Sequence, residues 1–111
     1  MKGLEAFEEI WCVDTEYSAP TGHRPRPICL VGVELRSGRQ LRLWEDQLAQ
    51  LRAAPFRTDS GSLFVAYAAA AEFSVFHVLG WPAPERTLDL FFEFRALTNG
   101  LQTPSGSGLL G

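Results

Sequence analysis

Asp14 and Glu16 stand two positions apart at the end of an apolar run, EIWCVDTE, over residues 9–16. In an extended strand, side chains at i and i+2 leave the same face, so the two carboxylates are held side by side. Such a pair repels itself unless a positive charge sits between, and hard oxygen ligands of this kind suit Mg²⁺ or Mn²⁺. Two solvated acids at a strand end have the same D-x-E pattern, so the pair alone has two readings. A third acid, Glu72, falls within the helically spaced stretch 68–79, amid the apolar stripe of Ala68, Ala69, Val75, Phe76 and Leu79. There it faces the protein, and a buried carboxylate requires a partner that no Lys or Arg between Thr58 and Pro84 supplies. A metal ion would serve. Alternatively, Glu72 complements the helix dipole from the first turn and reaches past the edge to water.

Other polar residues read more plainly. Asp89 ends a short apolar run just before a helix, where its simplest use is an N-cap. His77 lies on the helix face opposite Glu72 and is expected to be exposed, and His23 belongs to a Pro-rich loop. No Ser or Cys has a His at a supported position, and no Gly-rich phosphate loop is present, so neither a nucleophilic triad nor a nucleotide cradle is expected. Cys12 and Cys29 lie in apolar runs, with no metal-ligand spacing, and read as small buried hydrophobes in the thiol form. Two basic clusters, His23 with Arg24 and Arg26, and Arg36 with Arg39 and Arg42, are solvated loop charges or phosphate contacts.

The elements that must position the acids follow from pattern. A strand over 9–16 is followed by a loop with Pro20, Gly22, Pro25 and Pro27. A strand over 28–35 and an alternating one over 40–44 are joined at Ser37-Gly38, which signals a hairpin. A short helix is expected over 45–52, a polar loop over 57–62, a strand over 63–67, the helix bearing Glu72 stopped by Gly80, a brief strand over 87–90 and a helix over 91–97. Three antiparallel strands followed by strand, helix, strand, helix describe an α/β fold with a mixed sheet flanked by helices, the order of a ribonuclease H-like fold.

The chain of 111 residues is one domain at most, and 46% hydrophobic residues with three Trp and eight Phe exclude disorder. No apolar stretch is long enough to cross a bilayer, and acids interrupt the N-terminus where a signal peptide would be apolar, so a soluble cytoplasmic protein is expected. A net charge of -3 argues against a surface given over wholly to nucleic acid.

The order Asp14-Thr15-Glu16, then Phe64-Val65-Ala66-Tyr67 leading into a helix with Glu72, then Leu79-Gly80-Trp81 and Leu88-Asp89-Leu90, resembles the DEDD (DnaQ-like) 3′-5′ exonucleases. More narrowly, it resembles the proofreading-type domain of family A DNA polymerases. The first motif of that family, D-x-E, matches Asp14 and Glu16. Its second, Asn-x3-Asp, falls on Ala68 and Glu72, so Glu stands where Asp is usual. The third, a Tyr or His followed by the last metal-binding Asp, has no candidate, since after Asp89 the only acid is Glu93. The chain is therefore expected to be cut short before that motif, or to retain the fold without the catalysis. The resemblance implies a partial exonuclease domain over 1–97, with 98–111 a Gly/Ser/Pro-rich tail or the start of the missing part. It implies a two-metal Mg²⁺ or Mn²⁺ site on Asp14, Glu16 and Glu72, the 3′ end of single-stranded DNA as substrate, and the parent's polymerase domain as partner. The alternative is a non-catalytic nucleic-acid-binding or polymerase-docking module.

Overall fold

The computed structural model describes residues 3–18, 22 and 24–97. After a 3-10 turn at Leu4–Ala6, the chain forms β1 (Glu9–Ser18), β2 (Arg26–Glu34), β3 (Gln40–Trp44), α1 (Glu45–Ala49), β4 (Ser62–Ala66), α2 (Ala69–Leu79), β5 (Thr87–Asp89) and α3 (Leu90–Leu97). The sheet order is β3-β2-β1-β4-β5. The β1–β2 and β2–β3 pairs are antiparallel, whereas β1–β4 and β4–β5 are parallel. This is the expected α/β layout, a five-stranded mixed sheet flanked by helices as in ribonuclease H-like folds. The segment 98–111 lies outside the described residues, and none of the helices among those residues is long and apolar enough to cross a membrane.

The hairpin forms because Gly38 takes φ 77°, which lets its N–H close on the Glu34 carbonyl at 2.8 Å. Glu34 itself is buried at the end of β2, where its carboxylate accepts from the N–H groups of Ile10 (2.8 Å), Arg36 (3.1 Å) and Ser37 (2.8 Å). The Ile10 N–H foremost holds its pKa down at about 2, with the turn N–H groups adding to the effect and burial opposing it. A charged side chain thus joins the hairpin to β1.

Alternation along β1 sends Trp11, Val13 and Thr15 inward and leaves Asp14 and Glu16 exposed. Trp11 and Val13 enter the main core with Leu30, Leu48, Phe56, Phe64, Phe76 and Trp81. Phe56 lies 5.5 Å from the Trp11 ring and 5.9 Å from Phe64, while Phe76 meets Trp81 edge-on at 5.2 Å, so these rings fill the space between the sheet and α2. The Trp81 indole N–H donates to the Leu51 carbonyl at 3.2 Å, satisfying the polar end of a ring that is 4% exposed. Burial of this aromatic layer fixes α2 against β1 and β4.

Candidate acidic site at the end of β1

β1 extends beyond its parallel neighbour, because β4 pairs with it only from Glu9 to Cys12. In the stretch without a β4 partner, the Thr15 N–H donates to Glu72 Oε1 at 3.1 Å, and the Thr15 hydroxyl donates to the same oxygen at 2.9 Å. Glu72 thus supplies the acceptor that a longer neighbouring strand would have provided. It reaches this position from the buried stripe of α2, with Ala69, Val75 and Phe76.

Glu72 is only 3% exposed, and its second oxygen, Oε2, is buried without a hydrogen-bond partner. Burial raises the pKa of the carboxyl, the two Thr15 bonds work against that rise, and the negative charge of Asp14 adds to it. Asp14 is therefore within electrostatic reach of Glu72, although its side chain leaves β1 on the opposite side from Thr15. Glu16 shares the exposed side with Asp14. Among the described residues, no three His, Cys, Asp or Glu side chains gather closely enough to hold an ion. The structure brings Glu72 to the D-x-E segment through Thr15; it does not bring the three carboxylates into one cluster.

The turn that delivers α2 has unusual backbone geometry. Ala68, the N-cap, sits in the left-handed region at φ 59° and ψ 66°, and it is the only non-glycine residue with positive φ among those described. Asn tolerates that conformation better than Ala, which has no polar side chain to support it. Gly80 closes the helix at φ 77°. Asp89 caps α3, accepting from the Phe91 N–H at 2.9 Å, as the sequence leads one to expect.

On the exposed side, a groove of about 330 Å³ runs past Asp14 between Val31, Val33, Val65, Tyr67 and Leu90. Cys12 lines it as a free, half-buried thiol whose pKa is raised by burial, so it is not an activated nucleophile. His77, in the last turn of α2, is exposed.

The basic clusters are largely committed elsewhere. Arg26 pairs with Glu45 through two bonds of 2.6 and 2.9 Å, Arg36 donates to the Leu4 and Phe7 carbonyls, and Arg39 lies over the Trp11 ring at 5.1 Å. His23 lies outside the described residues.

Two features of this region are not legible in the sequence. One is the Thr15 partner of Glu72, which lies 57 positions away and is neither a cationic side chain, a metal nor water. The other is the reach of Asp89 back to the start of α2, for which strand order was the available signal. A scan against protein-family models and searches of curated proteins and of solved structures give no match to this chain.

Proposed function

We propose that this chain carries the first two acidic motifs of a proofreading-type 3′-5′ exonuclease domain, of the kind attached to family A DNA polymerases, acting in the cytoplasm. Asp14, Glu16 and Glu72 are the carboxylates directed to Mg²⁺ or Mn²⁺. The substrate is the 3′ end of single-stranded DNA, and the partner is the polymerase domain of the parent protein.

The single observation that carries this reading is the buried, unpartnered Oε2 of Glu72, held by Thr15 beside the D-x-E segment. A carboxylate removed from water, close to the Asp14 charge and lacking a cationic partner among the described residues, is what a divalent ion relieves. Carboxylate oxygens are the donor type a hard cation takes, but Asp14 and Glu16 share the exposed side of β1 while Glu72 meets Thr15 on the buried side, so a common ion would have to draw them together. A bound ion would supply an activated water and charge stabilisation at the phosphodiester. Thr15 holds the buried Glu72 carboxylate in place.

A second reading, a non-catalytic module that docks nucleic acid or a polymerase, is favoured by the lack of a three-acid cluster among the described residues and by the engagement of Oε1 with Thr15. Fluorescence anisotropy of a 3′-labelled single-stranded oligonucleotide separates the two. The exonuclease reading expects Mn²⁺-dependent binding that is lost in Asp14→Asn and Glu72→Gln, with negligible nucleotide release by this chain. Metal-independent binding, equal in all three proteins, would establish the docking module instead.

A further inference from the structure

We infer that Asp89 is the positioning residue for the Glu72 carboxylate, its side chain filling the concavity of backbone N–H groups at the β4–α2 turn and so fixing the start of α2 against β1. The inference rests on the proposed function only in taking Glu72 as the carboxylate that matters; the contact itself is independent of catalysis.

In the parallel register of β4 with β5, Asp89 lies beside Ala66, the last residue of β4. From there the chain passes through Tyr67 and the left-handed Ala68 into α2 at Ala69. A left-handed residue followed by a helical one turns successive N–H groups toward a common point, a concavity suited to an anion. The Asp89 carboxylate occupies it. Oδ1 accepts from the Ala68 N–H at 3.1 Å, and Oδ2 accepts from the Ala69 N–H at 3.0 Å. Oδ1 also takes the Phe91 N–H of α3, so one side chain ties the starts of two helices to the end of a strand.

An alanine has no polar side chain with which to support its own left-handed backbone, so the charge of Asp89 does that from outside. Glu72 follows Ala69 by three residues, less than one helical turn. A displacement of the turn is therefore carried almost undiminished to Oε1 and its bonds with Thr15.

The test uses the full chain, free of metal and DNA, with amide hydrogen exchange and the amide proton shift of Thr15 as readouts. Asp89→Asn keeps one acceptor oxygen and the size of the side chain but places an amide NH₂ against a backbone donor. The expected result is a Thr15 amide shift and a Thr15 exchange rate raised on the order of tenfold beyond any rise in β2 and β4 amides. Leu48→Ala, a buried change in α1 remote from the turn, accelerates Thr15 no more than those amides.

The same pair of measurements in an Ala68→Gly background covers the case in which Asp89→Asn alone does not fold. Glycine adopts the left-handed turn without strain, so the Thr15 excess is expected there too, but smaller. Thr15 exchange that tracks the β2 and β4 amides in whichever backgrounds fold would overturn the inference. Such a result leaves the oligonucleotide experiment untouched, just as failure of metal-dependent binding leaves the Thr15 result standing.

Discussion

Replacing Glu72 by Gln separates stability from the proposed metal chemistry. The amide oxygen can keep both bonds from Thr15, whose donors lie at 3.1 and 2.9 Å from Oε1. What changes is the buried, unpartnered second atom, which becomes a neutral amide nitrogen instead of part of a charge. Removing an uncompensated buried charge is worth several kcal/mol in favour of folding, against which stand a buried NH₂ without an acceptor and weaker, uncharged bonds from Thr15. The balance is a gain of about 1 kcal/mol at pH 7.5 for Glu72→Gln, or an increase in the urea midpoint of about 0.5–1 M.

The gain depends on pH in a defined direction. Because burial raises the folded pKa of Glu72, protonation favours the folded state. Its contribution to wild-type stability is full below the unfolded carboxyl pKa and is lost as pH rises through the higher folded value. The advantage of Glu72→Gln is thus largest at pH 7.5 and shrinks toward pH 4.5 as the wild-type side chain becomes neutral. Glu72→Ala, which leaves both Thr15 donors unpaired, loses about 1–3 kcal/mol instead. Urea titrations of the three proteins at both pH values provide the comparison. A Glu72→Gln protein less stable than wild type at pH 7.5 would refute the reasoning, since it would mean that the carboxylate charge is already balanced.

Two further outcomes are expected from the same titrations. Ala68→Gly, at φ 59°, relieves a left-handed alanine and raises stability by about 1 kcal/mol, with Ala68→Asn gaining less; a loss in both would show that the turn is not strained. Glu34 is depressed to a pKa of about 2, so its contribution is present above the unfolded carboxyl pKa and is lost as pH falls from there through about 2. Glu34→Gln lowers the urea midpoint at pH 7 and removes that part of the acid dependence; parallel acid curves for the two proteins would contradict the assignment.

Much of the fold was legible because local chemistry and tertiary packing agree. Ser37-Gly38 and Gly80 mark their turns since both glycines use positive φ, and Gln40–Trp44 alternates with the pleat of an edge strand. Helix α1 ends at Ala49 rather than Arg52, because the Gln50 and Leu51 N–H groups tighten to bonds with Gln47 and Leu48 before the chain turns away. β2 starts at Arg26, two residues before the apolar run, since its partner strand continues to Ser18 across a bulge at Glu16/Tyr17.

The site was legible only in part. That Glu72 faces inward follows from periodicity, whereas its Thr15 partner depends on β1 outrunning β4, a matter of sheet register. The same holds for Asp89, whose role as a cap of α3 is local and whose contact with Ala68 and Ala69 is not. Buried Glu34 gave no local sign, because one of its three donors comes from another strand.

Paramagnetic broadening by Mn²⁺ tests the shared acidic site most directly. On titration of the ¹⁵N-labelled chain, the Asp14, Thr15, Glu16 and Glu72 amides should broaden together and first, and the effect should disappear in Glu72→Gln while the fold persists. Broadening centred on other surface acids, or broadening at Asp14 and Glu16 that is unchanged when Glu72 loses its charge, would show that these carboxylates do not serve a common ion.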